Sequence, residues 1–110
     1  MQEDIDYLMR ALESRVQTLL ASNGIVHAKR VYLMKLDVDG RVVIEADLRQ
    51  DNQTVGCLAV CFVDELSKQE RDRLFRFMKR DCGVTDTERL IERLQKSRTG
   101  RHQLFYWQEW

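Results

Sequence analysis

The first part of the chain has apolar residues at the spacing of one helix face. Between residues 5 and 20 they recur mostly in steps of three and four, which is the stripe of an amphipathic α-helix. Asp4 suits an N-cap and Asn23-Gly24 a stop signal, which predicts a helix over residues 4–22. The same stripe would serve as a dimer seam, but packing on a sheet is the favoured interpretation.

Residues 26–63 change to the alternating pattern of β-strands, and the turn between the first two strands decides their register. A two-residue Asp39-Gly40 loop would mix apolar and acidic side chains on one face. A three-residue loop over residues 38–40 pairs Asp37 with Arg41 and separates the two kinds of side chain. A type I turn with Gly40 in the left-handed conformation fits this second register, which we predict.

A third strand is predicted over residues 54–63, and it is apolar on both faces. Strict alternation places Leu58, Val60 and Phe62 on one face, and the remaining apolar residues of the strand on the other. The far face of the first two strands mixes Val31, Leu33 and Val43 with charged residues. We therefore expect this half-apolar face to be covered, either by the C-terminal tail or by another subunit.

Two helices follow, each preceded by a capping-box sequence. Ser67 with Glu70 and Thr85 with Glu88 have the required spacing, and Gly83 and Gly100 suit the ends of the two helices. Residues 103–110 favour a strand or a docked extended segment. The predicted fold class is α+β, with an N-terminal helix, a three-stranded antiparallel sheet, two C-terminal helices and an extra C-terminal strand (αβββαα[β]).

Composition adds the size of the domain and its charge distribution. The 110 residues suit a single compact domain over 1–110, and the absence of proline argues against Pro-rich linkers. The 18 basic and 18 acidic residues balance overall. Residues 65–110, however, hold 11 Lys and Arg against 8 Asp and Glu, a net charge of +3, so the remainder of the chain carries −3.

The termini and the cysteines indicate a compartment. The acidic start of the chain does not resemble a signal peptide, and the apolar run over residues 55–63 is half the length of a membrane span. The three cysteines form no C-x-x-C pair. We expect a cytoplasmic protein with reduced thiols, no cofactor and no membrane contact.

No recognisable catalytic arrangement is found. The order of elements resembles the skeleton of the PD-(D/E)XK nucleases, which carry acid-x-Lys on a strand, but residues 56–62 contain neither an acid nor a lysine, and Glu45-Ala46-Asp47-Leu48 lacks the lysine. The spacing of Cys57 and Cys61 on a strand does not suit zinc. No local signature joins Cys82 to His102, so a structural thiol is the favoured interpretation. We expect that the protein is not an enzyme and binds no metal.

Two surfaces remain as candidates for binding. The aromatic tail and the half-apolar sheet face suit a protein partner or a second copy of the chain. This favours a homodimeric regulatory protein, an adaptor or an antagonist of a larger protein, with contacts through Leu104, Phe105, Tyr106, Trp107, Trp110, Val31, Leu33 and Val43. The alternative is a nucleic-acid-binding regulator that uses Arg73, Arg76, Arg80, Arg93, Lys96, Arg98 and Arg101.

Overall fold

The computed structural model describes residues 2–21 and 29–104 of the chain. In order along the chain these residues form α1 (Gln2–Ala21), β1 (Lys29–Leu36), β2 (Val42–Gln50), β3 (Gln53–Phe62), a 3₁₀ turn (Val63–Glu65), α2 (Lys68–Cys82), α3 (Thr87–Lys96) and β4 (Arg101–Gln103). The predicted α+β architecture with a fourth strand is confirmed. The predicted stop of the first helix at Asn23-Gly24 lies outside the described residues.

The strands form one antiparallel sheet in the order β3-β2-β1-β4. The predicted register of the first hairpin is confirmed, because Leu36 pairs with Val42 and the Asp37 N–H donates to the Arg41 carbonyl at 2.9 Å. Gly40 has a φ of +78°, the left-handed conformation that the turn requires. The second hairpin turns through Asp51 and Asn52, which both have positive φ, as in a type I′ turn.

Two bulges interrupt the alternation of β3. Ile44 pairs with Cys61 while the next residue, Glu45, pairs with Ala59, so Val60 is an extra residue; Val55 is a second one. Strict alternation was therefore wrong for part of this strand. Cys61 shares the face of Leu58, and Phe62 shares the face of Cys57 and Ala59. The strand also ends at Phe62, because the next three residues form the 3₁₀ turn.

Local hydrogen bonds fix the starts of the two C-terminal helices. Ser67 and Glu70 form the predicted capping box of α2, and Gly83 ends that helix with a φ of +75°. The cap of α3 differs from the prediction. Asp86, not Thr85, accepts a hydrogen bond from the Arg89 N–H at 2.9 Å, because Asp86 is the residue directly before the first residue of α3, Thr87.

A single apolar core joins the three helices to one face of the sheet. From the helices it takes the buried stripe of α1, Leu74 and Met78 of α2, and Leu90 and Leu94 of α3. From the strands it takes the alternating set predicted for this face, Tyr32, Met34, Val42, Ile44, Ala46 and Leu48. No helix among the described residues is long and apolar enough to cross a bilayer.

The fourth strand starts earlier than residues 103–110, the segment in which we predicted it. Arg101, His102 and Gln103 pair with Lys35, Met34 and Leu33 at the edge of β1. The Leu104 N–H continues the ladder by donating to the Tyr32 carbonyl at 2.8 Å. Arg101 and His102 therefore belong to the edge of the sheet.

Candidate binding surfaces

The face of the sheet opposite the helices is half-apolar, as its sequence suggested. Val31 and Val43 are buried there and lie outside the main core cluster, whereas Leu33 is half-buried. The two buried acids of this face have basic partners: Glu45 accepts from Lys35 at 3.3 Å and Asp47 accepts from Arg49 at 3.0 Å. These pairs reduce the cost of placing carboxylates beside apolar residues.

The strand β3 forms one edge of the described sheet and is ten residues long. Its side chains are exposed or half-exposed along its whole length, and Val55 is 53% exposed. No residue from Gln53 to Phe62 is charged or proline. Natural sheets protect such edges with charges, prolines or very short strands, and β3 has bulges alone.

The aromatic tail is described at its first residue only. Leu104 is 3% exposed and belongs to the main core cluster. Phe105, Tyr106, Trp107 and Trp110 lie outside the described residues. Of the predicted partner-binding residues that the structure describes, Leu104, Val31 and Val43 are therefore buried, and Leu33 is half-buried.

The basic residues proposed for nucleic-acid binding lie in separate places. Arg76 donates to both carboxylate oxygens of Asp4 at 3.0 and 3.2 Å, and Arg73 lies 3.5 Å from the same carboxylate. Arg73 also stacks over the Tyr7 ring at 4.2 Å. These two arginines join α2 to the start of α1, and the Arg76 contact lowers the pKa of Asp4. Arg80 and Arg98 are exposed.

Three of the predicted basic residues border a single cleft. Arg93, Lys96 and Arg101 line a cleft of about 550 Å³ together with Arg89, Glu92 and His102, and we call it the α3–β4 cleft. Its remaining walls come from Gly83, Val84 and Ser97, which lie at the ends of α2 and α3. Arg101 and His102 border the cleft because β4 pairs with β1; in this register His102 shares the sheet face of Met34, and the Arg101 side chain shares the face of Lys35.

A cluster of groups able to ligate a metal borders this cleft. Asp81, Cys82 and His102 each offer one ligand atom, and these atoms lie within 4.8 Å of one another. Burial lowers the pKa of His102, and the positive charge of Arg93 acts in the same direction while Asp81 opposes it. Cysteine and histidine suit zinc, but the basic lining of the cleft works against a divalent cation here.

Two of the thiols lie on β3 and are poor nucleophiles. Burial raises the pKa of Cys61 to about 11. Burial also raises the pKa of Cys57, and the Asp47 carboxylate adds to the effect from 3.7 Å. Because the thiolate is the reactive form, both side chains are deactivated at neutral pH.

Sequence reasoning missed the cleft because its walls come from separate elements, α3 and β4. The signal that could have revealed it was the pairing of residues 101–103 with β1, which places His102 on the helix-covered face of the sheet. No local sequence signature joins Cys82 to His102, yet their ligand atoms lie within 4.8 Å of each other in the structure. Comparisons with protein-family models, with curated proteins and with solved structures found no significant match to this chain.

Proposed function

We propose that this protein is a non-enzymatic, protein-binding regulatory protein that acts as a homodimer, as an adaptor or antagonist of a larger protein. The observation that carries the proposal is the exposed edge of β3. An uncharged strand of ten residues presents backbone donors and acceptors that another strand can pair with. The partner strand comes from a second copy of the chain.

The composition of β3 favours a second copy over a chance partner. In an antiparallel pair of identical strands about a two-fold axis, residues at equal distances on either side of the axis face each other, so a charge near the axis would lie close to its own copy. β3 has none between Gln53 and Phe62. Between the two bulges, residues 56–59 pair regularly with β2 and offer a straight segment for such a contact.

Two further observations support a binding role without catalysis. The thiols of Cys57 and Cys61 have raised pKa values, so they are not poised for nucleophilic attack. Three arginines also form ion pairs that have a structural role, because Arg15, Arg73 and Arg76 all join α1 to α2. These ion pairs hold α1 against α2, and the edge of β3 takes no part in them.

Sedimentation equilibrium tests the dimer with a matched pair of variants. Val55→Lys places a charge on the exposed β3 edge, whereas Val38→Lys places one on the β1–β2 turn, where Val38 is 101% exposed. We expect Val55→Lys to raise the dimer dissociation constant about tenfold or more and Val38→Lys to leave it unchanged. A wild-type chain that stays monomeric at high concentration would contradict the proposal.

Truncation tests whether the aromatic tail serves the regulatory partner. Residues 105–110 should be removed, and Leu104 kept, because Leu104 is buried and hydrogen-bonded to Tyr32. We expect the truncated chain to keep its circular dichroism spectrum and its dimer, and to lose a partner that the intact chain captures. Loss of the folded spectrum would instead make the tail part of the fold.

A further inference from the structure

The cluster of Asp81, Cys82 and His102 lies where the end of α2 meets β4. Asp81 and Cys82 are the last two residues of α2, and His102 is the middle residue of β4. Each side chain offers one ligand atom, and the three atoms lie within 4.8 Å of one another. In the part of the chain that the structure describes, no other group of three such side chains comes this close together.

The strand register explains why His102 reaches the helix. His102 pairs with Met34, which belongs to the core between the sheet and the helices. Because paired residues share a face of the sheet, the imidazole points to the helix-covered side, and the neighbouring Arg101 and Gln103 point to the other side. The cluster is therefore held by secondary structure on both sides, a paired strand and the last turn of a helix.

The imidazole of His102 keeps a nitrogen without a partner. Its Nε2 is shielded from solvent and makes no hydrogen bond within the described residues. A buried polar atom left unpaired costs about 1–3 kcal/mol, and a bound ion or water is the usual way to offset this cost. The ring therefore has binding capacity that the described part of the fold leaves unused.

The three side chains match the ligand chemistry of zinc. A cysteine thiolate, an imidazole nitrogen and a carboxylate oxygen all bind zinc, at about 2.0–2.3 Å. Tetrahedral coordination at these lengths places the ligand atoms about 3.5 Å apart, so the atoms need to approach one another by at most about 1.3 Å. Magnesium and calcium, in contrast, prefer sites made of oxygen ligands alone.

The basic residues that line the α3–β4 cleft oppose a cation less than their number suggests. The Arg101 side chain lies on the opposite face of the sheet, and Arg93 is the cleft residue that helps to lower the pKa of His102. A Cys82 thiolate and an Asp81 carboxylate supply two negative charges, which equal the charge of a zinc ion. The carbonyl end of α2 adds partial negative charge at the same place.

We propose that Asp81, Cys82 and His102 bind a zinc ion that ties the end of α2 to β4. On binding, a zinc–sulfur bond forms and the Cys82 thiol proton passes to solvent. A cavity of about 240 Å³, lined in part by Phe77, Asp81 and His102, gives room for a water molecule as the fourth ligand. β4 pairs with β1 through three residues, so the metal strengthens the attachment of a short edge strand. The sequence predicted no metal site because no local spacing joins His102 to the end of α2.

Titration of the reduced full chain with zinc, in competition with a chromophoric chelator, tests the site. We expect one zinc ion per chain with a dissociation constant below about 1 μM, and no comparable binding of magnesium. Cys82→Ser and His102→Gln should each weaken zinc binding about tenfold or more, because each removes a ligand. Cys57→Ser, which changes an exposed thiol at the opposite edge of the described sheet, is the matched control and should leave zinc binding unchanged.

Asp81→Asn provides a variant that keeps the fold, because Asp81 is exposed. We expect it to weaken zinc binding about tenfold, whereas Asp72→Asn, at an exposed acid of the same helix, should not. Cobalt(II) in place of zinc should give a thiolate-to-metal charge-transfer band that Cys82→Ser removes. Zinc should also raise the midpoint of thermal unfolding of the wild type and not that of His102→Gln. Absence of zinc binding by the reduced chain, or equal binding by wild type and Cys82→Ser, would overturn the proposal.

Discussion

Arg15 of α1 donates two hydrogen bonds of 3.0 Å to Glu70 of α2, one to each carboxylate oxygen. The same carboxylate accepts from the Ser67 N–H at 2.8 Å, so one side chain both caps α2 and joins it to α1. The start of α2 and its packing against α1 therefore both depend on the Glu70 carboxylate.

Replacing Glu70 should therefore cost more than removing an ordinary surface acid. We expect Glu70→Ala to lower the free energy of unfolding by about 2 kcal/mol, since it removes a cap and leaves Arg15 without its partner. Asp72→Ala, an exposed acid on the same helix, should change it by less than about 0.5 kcal/mol. Urea unfolding at neutral pH measures both, and equal effects would contradict the coupling.

The same pair gives a pH dependence with a definite sign. The hydrogen bond from Arg15 lowers the pKa of Glu70 below its usual value of 4.5. An acid with a depressed folded-state pKa stabilises the fold above its unfolded-state pKa, and this contribution is lost as the pH falls through the folded-state pKa. The stability difference between wild type and Glu70→Gln should thus shrink between about pH 6 and about pH 3.

Tyr32 should show the opposite dependence at alkaline pH. Its hydroxyl donates to Glu13 at 3.0 Å, and burial, aided by the charge of Glu13, raises the pKa of Tyr32 far above its usual value. The unfolded chain ionises near pH 10 while the folded chain does not, so stability falls as the pH rises beyond about 10.

A comparison of two tyrosine variants isolates this effect. We expect Tyr32→Phe to cost about 1 kcal/mol at neutral pH and to lose less stability than wild type between about pH 8 and about pH 11. Tyr7→Phe, which removes an exposed 3.2 Å contact with Gln69, is the control. If Tyr7→Phe reduced the loss of stability at alkaline pH as much as Tyr32→Phe does, the loss could not be assigned to the ionisation of Tyr32.

Two glycines, Gly40 in the turn between β1 and β2 and Gly56 in β3, should respond differently to replacement by alanine. Gly40 has a φ of +78°, and an added Cβ is strained there although the space around it is open. Gly56 in β3 has open space and no left-handed φ. We expect Gly40→Ala to cost about 1 kcal/mol or more and Gly56→Ala to be neutral or slightly stabilising, by thermal unfolding. A larger loss at Gly56 would contradict this conformational account.

The start of α3 can be located by mutation as well. Asp86 accepts from the Arg89 N–H, whereas the Thr85 hydroxyl only donates to Asp86 at 3.1 Å. We expect Asp86→Ala to cost about 1 kcal/mol and Thr85→Ala less than half of that, by urea unfolding. A larger loss of stability for Thr85→Ala than for Asp86→Ala would identify Thr85 as the cap.

The parts of the fold that depend on neighbours in sequence were predictable. The turn chemistry of Asp37 and Gly40 fixes the first hairpin, and the spacing of Ser67 and Glu70 fixes the start of α2. β3 was predicted only in part, because a pattern of period two cannot reveal the extra residue at Val60.

The binding surfaces depend on residues far apart in the chain, so sequence reasoning found them only in part. Arg76 was predicted to belong to a basic surface that binds nucleic acid. Its partner in the structure is instead Asp4, 72 residues away. Arg93 and Arg101 were predicted to act together in one basic surface, but the structure places them on separate elements, α3 and β4. Contacts between residues so far apart in the chain are set by tertiary packing, and they leave no periodic pattern in the sequence.

The unequal edges of the sheet decide what kind of assembly this fold supports. At one end lies β3, with ten residues, and at the other lies β4, with three among the described residues. Strand pairing across a two-fold axis uses the same edge of both copies, so the long edge is consumed once two chains have met. Among the described residues, the β4 edge offers much less backbone for pairing than the β3 edge does. A dimer paired through β3, as we propose, would therefore present its β4 edges, and not its β3 edges, to any further chain.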